Sequence, residues 1–328
     1  MRIAARIEVI PQDHGAVSVM VAVCLVMLFG ATALAVDAGR LWEQRRHLVT
    51  TTDAAALAAA QLYGEASNGC AAAPGWIANN HATAAMTSCN LVPIGSNAGH
   101  VTVQARTDVD FSFAPALPSA PSSASVPSSS TAIFGQANTV FGLRPIGICK
   151  DHPALQAWIT AGAQDDGQIH RIGYNKNDNA HCGEATGNWG LMAFTGEQSN
   201  AVFKEHVEVG YDGGVSIGDE VRASTGSFNN SIQPQLNTLK GQTFAVPIFS
   251  SVIDPNGQNA RYVISGFLTI TLHDFKVTGA AAGRWMDVEF HRRALTGTCC
   301  SSGPSTGAIV IAICAVDPDA TAIAACNP

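Results

Sequence analysis

Gly214-Val215-Ser216-Ile217-Gly218 sets a serine between two glycines at GxSxG spacing. In serine hydrolases that spacing lifts a nucleophilic hydroxyl on a tight turn. Asp254 or Asp274, followed by His291, would complete the chain order Ser–Asp–His. The chemistry also requires a strand before the serine and a helix after it. Tyr211-Asp212-Gly213 precedes the motif and Asp219-Glu220 follows it, so the segment reads as a glycine-rich loop. No catalytic residue is expected, and a hydrolase using Ser216 stands as the alternative.

Two other segments carry ligand-type side chains. His181-Cys182-Gly183-Glu184 groups an imidazole, a thiol and a carboxylate, but neither HExxH nor a second paired cluster accompanies it. Cys182 is better used in a disulfide. Asn175-Lys176-Asn177-Asp178-Asn179 has the Asx spacing of a calcium loop without its glycine at the sixth position or its glutamate at the twelfth. It reads as an Asx-rich turn. No phosphate loop or dinucleotide fingerprint occurs, so the expectation is no cofactor, no metal and no small-molecule substrate. The net charge of −7 argues against nucleic acid as a partner.

Cysteine chemistry is the more informative. Of nine cysteines, Cys24 lies in an apolar run, which leaves Cys70, Cys89, Cys149, Cys182, Cys299, Cys300, Cys314 and Cys326. An even set without CxxC pairs favours disulfides, hence an oxidising compartment outside the cytoplasm. Their connectivity is not readable from spacing, although adjacent Cys299 and Cys300 suit different partners better than each other.

The elements that must position these groups begin with residues 16–36, a run without a charged side chain that Asp37 ends. As a helix it is about 30 Å long, the thickness of a bilayer's hydrocarbon core. It exceeds the 7–15 residues of a signal-peptide core, so a retained anchor is expected. Arginines flank it almost evenly, Arg2 and Arg6 before, Arg40, Arg45 and Arg46 after, and the positive-inside rule does not orient it. The disulfides place the body outside.

Beyond Asp37 the helical pattern continues. Leu41, Leu48, Ala55 and Leu62 recur every seven residues with Ala59 on a neighbouring stripe, and the Ala-rich segment after Asp53 is strongly helix-forming. Gly64 supplies a stop. The stripe suits packing either on the protein's own body or on another subunit. Asp37 marks the lipid boundary, and Asp53 is a candidate partner for Arg45 or Arg46 of a neighbouring helix. Further on, residues 76–86 read as a short helix, 100–113 alternate as a half-buried strand, and 115–130 form a Pro/Ser/Ala tract read as a linker or loop. Asp151 is expected to cap a helix containing Pro153, Leu155 and Trp158, and a second helix is expected over 198–209. Strand signals dominate later, at 244–249, 262–275, 285–291 and 308–316.

Gly15 before the apolar run, then Ala35-Val36-Asp37-Ala38-Gly39-Arg40-Leu41, Arg45-Arg46 and Thr52-Asp53 leading into Ala54–Ala60, stand in a fixed order. This segment, roughly 14–62, resembles the TadE/TadG-like family of Flp-type (tight adherence) pilus-assembly proteins. The resemblance implies a bacterial inner-membrane protein whose C-terminal part faces outward and helps build or anchor an adhesive pilus. Prepilin-like members carry Glu five residues after the cleaved Gly; here Met20 stands there, so an intact anchor is expected. The DxSxS metal site of larger members is absent.

The expectation is therefore an α+β protein with a long N-terminal transmembrane helix extending into an amphipathic helix, and a disulfide-braced head rich in antiparallel β-sheet. Its segments are a cytoplasmic tail (1–14), a transmembrane helix (15–36), an amphipathic helix (37–64), a first part of the head (65–114), the tract at 115–130 and a main extracytoplasmic domain (131–328). The expected role is structural, with the membrane and other pilus-assembly or pilin-like proteins as partners. A surface adhesin is the remaining alternative.

Overall fold

A computed structural model describes residues 14–65, 67–94, 98–116, 119–174, 181–183, 190–224, 229–255, 257–280, 283–298 and 306–314. Helix α1 (His14–Gly64) is 51 residues long without a break, which at the standard rise is about 76 Å. Helix α2 (Gly69–Asn80) follows after a short turn; the Asn68 side chain accepts the Ala71 N–H at its start, and Ala73 and Ile77 are buried. Strands β1 (Ala85–Ile94), β2 (Ala98–Asp110) and β3 (Ser123–Gln136) then form an antiparallel meander.

The remaining chain alternates short strands and helices. It contains β4 (Thr139–Val140), β5 (Ile148–Cys149), α3 (Pro153–Thr160), β6 (Ile169–Gly173), β7 (Met192–Ala193) and α4 (Asn200–Val209). Next come β8 (Val215–Ser216), β9 (Glu220–Ala223), α5 (Gln233–Leu239), β10 (Thr243–Ile253) and β11 (Arg261–Lys276). Last are β12 (Trp285–His291), β13 (Arg293–Ala294), β14 (Gly297–Thr298) and β15 (Ala308–Cys314).

Among the described residues three sheets result. The first has the order β1-β2-β3-β15-β13, so the late strand β15 pairs antiparallel with β3. The upper half of α1 lies across it, with Leu48, Ala55, Ala56, Ala59 and Ala60 packed among Val101, Val103, Val126 and Phe134. The second sheet is built on the path β5-β10-β11-β12-β6, with β9 pairing β11 and β7 pairing β9. On one face Leu155 and Trp158 of α3, Phe203 and Val207 of α4 and Leu236 of α5 share a core with Val246, Ile270 and Phe290. Its other face, at Phe249, Tyr262 and Phe267, packs with Val140, Ala308 and Val310. A small third sheet runs β14-β4-β8.

The class is the expected one: a long apolar helix and an α+β head with antiparallel sheets and, among the described residues, two disulfides. Three local expectations differ. Residues 123–130 of the Pro/Ser/Ala tract are strand, paired with β2 from Ser123↔Asp110 to Ser130↔Val103. Ala124, Val126, Ser128 and Ser130 turn inward and Ser125, Pro127 and Ser129 outward, so the period of two is present with small side chains. Those small inward residues let α1 approach the sheet closely. Strand β3 runs through residue 130, pairing with β2 before it and with β15 after it. Second, the short helix covers 69–80, and Ala85 and Met86 already belong to β1. Third, His152 caps α3: its Nδ1 accepts the Ala154 N–H at 3.2 Å, and Asp151 does not take that place.

Candidate functional site

The seam between α1 and the first sheet is where the residues read from the sequence come together. It starts at Asp37, the first charged residue after the apolar run, which is only 5 % exposed. One carboxylate oxygen accepts the Ser112 N–H at 2.9 Å; the other accepts those of Phe113 at 3.0 Å and Ala114 at 2.7 Å. These amides open a one-turn 3-10 helix, Ala114–Ala116, in the β2–β3 connection. Amides at the start of such a turn have no partner within it, and a carboxylate satisfies them with charge assistance. Arg40, one turn up, donates to the Ser112 hydroxyl. Burial alone pushes the Asp37 carboxyl up, but the Ser112, Ala114 and Phe113 amides together with Arg40 hold it below its ordinary value. Asp37 is thus a clasp between helix and head. The signal was the turn sequence Ser112-Phe113-Ala114-Pro115, whose leading amides need an acceptor that the turn does not contain.

Further up the seam, Leu41 is half-buried at the edge of the cluster, while Leu48, Ala55 and Ala59 are fully buried in it; Leu62 is half-buried. The stripe is covered by the protein's own sheet. Asp53 accepts the Ser130 hydroxyl at 2.6 Å, and Thr52 and Ser128 share a hydrogen bond of 2.8 Å. Asp53 is therefore engaged within the chain, by a hydroxyl of the first sheet. At the top, a Cβ on Gly69 would collide with the Ala59 carbonyl, so α2 crosses α1 at backbone contact. Disulfide Cys70–Cys89 ties α2 to β1.

The second disulfide, Cys149–Cys182, joins β5 to the turn at residues 181–183. Asp151 lies beside it, but sulfurs bonded to each other offer no thiolate to a metal. Among the described residues Cys24 is the free cysteine, exposed on α1. Cys299, Cys300 and Cys326 lie outside the described residues, as do Glu184 and the Asx-rich segment 175–179; of Cys314 the backbone alone, in β15, is described.

The hydrolase motif is not assembled. Ser216 sits on β8, shares a hydrogen bond of 2.9 Å with Thr139, and is followed by a turn into β9 where an elbow needs a helix. Asp254 pairs with Arg261 and Asp274 with Lys240. His291, itself buried, bonds Thr271 through Nε2 at 2.8 Å and Asp165 through Nδ1 at 3.1 Å, a part-buried network that pins β12, β11 and the loop after α3. Burial raises the Asp165 carboxyl, but the Arg292 amide, His291 and Arg293 bring it below its ordinary value.

The lower part of α1 is the opposite of the seam. Of the residues 17–36, all but Ala33 are exposed, and α1 is, among the described residues, the helix long and apolar enough to cross a membrane. A bare apolar helix continuous with a head-packed one defines the class, a head carried on a membrane-type helix. Residues 15–62 match the family model described as putative Flp pilus-assembly TadE/G-like. The match covers the apolar run, Asp37 and the buried stripe of α1, and none of the head that follows. No curated protein and no solved structure matches the chain.

Proposed function

We propose that this chain is a structural component of Flp/Tad-type pilus assembly or secretion machinery, anchored in the bacterial inner membrane by α1 with its head outside the cytoplasm. The observation that carries the reading is the division of α1 at Asp37. Below it the helix is apolar and bare; above it every turn up to Gly64 contributes to packing with the head. Such a helix fits lipid below and transmits position rigidly to the head above. The TadE/G-like match over the same residues supports the pilus setting. Two disulfides in the head support an oxidising side. The mechanism is mechanical: α1 sets the height and orientation of the head, which meets other assembly proteins.

A chromosomal deletion tests this. Loss of assembled pili, restored by the full chain but not by one lacking residues 14–36, is the expected result; normal piliation in the deletion strain would sink the role. Alkaline phosphatase fused after the head reads the orientation, because that reporter folds active only outside the cytoplasm.

A further inference from the structure

The Asp37 clasp fixes the height of a second segment. We propose that the β2–β3 turn at Phe111–Ala116 sits in the outer interfacial layer of the bilayer that α1 crosses, giving the head a second, direct contact with lipid. The inference rests on the membrane-anchor reading above.

Asp37 directly follows the last apolar residue of the run, so its carboxylate stands at the hydrocarbon boundary. Ser112, Phe113 and Ala114 are held to that carboxylate by hydrogen bonds of 2.7–3.0 Å, so their backbone stands at the same level. The interfacial layer between hydrocarbon and bulk water is about 5–8 Å deep on each side. A turn hydrogen-bonded at the boundary lies within that depth. Ala33, one turn toward the lipid on the face of Asp37, is the partly covered exception in the otherwise bare segment 17–36. Covered surface therefore continues below Asp37.

The chemistry of the turn matches the place. Phe113 is 46 % exposed although its own amide is fixed. From Phe111 to Leu143 the sequence has no Asp, Glu, Lys, Arg or His. The amides that would be costly to bring near lipid are satisfied by Asp37, which removes the main penalty for backbone in that layer. Trp42, five residues above Asp37 and 71 % exposed, stands about 7.5 Å higher along the axis, where an aromatic belt residue belongs. The occupant that this uncharged aromatic tip fits is a phospholipid interface.

The test uses the full chain in phospholipid vesicles, with p-benzoylphenylalanine introduced singly at Val26, Phe113 or Ile169. Val26 is exposed within the apolar run; Ile169 is exposed on β6. Ile169 is four residues from Asp165, which lines a cleft with Glu65 just past the top of α1, about 40 Å above Asp37. After irradiation, phospholipid adducts are expected at 26 and 113 and not at 169. An adduct at 26 without one at 113 overturns this inference and leaves the anchor standing. Absence at both overturns the anchor too. Equal labelling at 113 and 169 also overturns it, because the contact would then be unspecific. Non-reducing gels that report the Cys70–Cys89 bond establish that each variant is folded.

Discussion

The Asp37 carboxylate accepts the Ala114 backbone N–H at 2.7 Å across 77 positions of sequence. That bond, with its two neighbours to Ser112 and Phe113, joins the end of the apolar helix to the far end of the first sheet. Replacing Asp37 by Ala leaves these amides without their acceptor. Amide hydrogen exchange at residues 112–114 is expected to accelerate several-fold while exchange in β10 and β11 is unchanged. Unaltered protection at those amides would remove the clasp from the account.

The same clasp has a defined pH window. The Asp37 carboxyl is held below its ordinary value of 3.8, so its stabilisation is complete above that value and is lost as the pH falls through the depressed folded value. Asp165 follows the same sign. Protection of amides 112–114 is expected to be the same at pH 7 and pH 5 and to collapse only in stronger acid.

Histidine chemistry acts at higher pH. His81 is held below its ordinary 6.5 by burial and by the His47 ring stacked on it at 4.6 Å. His206 is lowered by burial beside Phe194 and Tyr211. For both, the unfolded chain takes up protons first, so stability is full above 6.5 and declines as pH drops through that value toward the folded ones. The melting temperature is expected to fall from pH 7.5 to 5.5, and His81→Gln to flatten that slope.

The seam tolerates no added volume. Gly69→Ala places a methyl against the Ala59 carbonyl, and Ala55→Leu adds bulk where α1 meets the sheet. Each is expected to cost about 1–3 kcal/mol. Leu48→Ala, which empties a fully buried site, is expected to cost about 2–5 kcal/mol. Denaturant titration of the detergent-solubilised chain reads these values.

The disulfides brace different parts of the head. Cys70–Cys89 closes 19 positions and Cys149–Cys182 closes 33, for which loop-closure entropy gives about 3–4 kcal/mol each. Cys70→Ser with Cys89→Ser is expected to loosen α2 and β1, and Cys149→Ser with Cys182→Ser the β5 edge. Exchange mapped by segment separates the two effects.

Much of this protein was legible in one dimension. The apolar run, the heptad-spaced stripe through Leu48 and Ala55, the helix stop at Gly64 and the alternation in 285–291 are periodic signals. They depend only on side-chain direction along a helix or strand, which covalent geometry dictates. Their order carried the TadE/G-like resemblance as well. The serine-rich residues 123–130 were misread because their composition promises no core, yet a strand laddered to β2 beneath α1 needs a partner and small inward side chains more than bulk.

What the stripe packs against, and what Asp37 and Asp53 bind, only the folded chain decided. Ser112–Ala114 and Ser130 lie more than seventy positions away, and the pairing of Cys70 with Cys89 was one of many permitted connectivities. Such choices depend on which remote amide, hydroxyl or sulfur the sheet register brings within reach, and register is a property of the whole sheet.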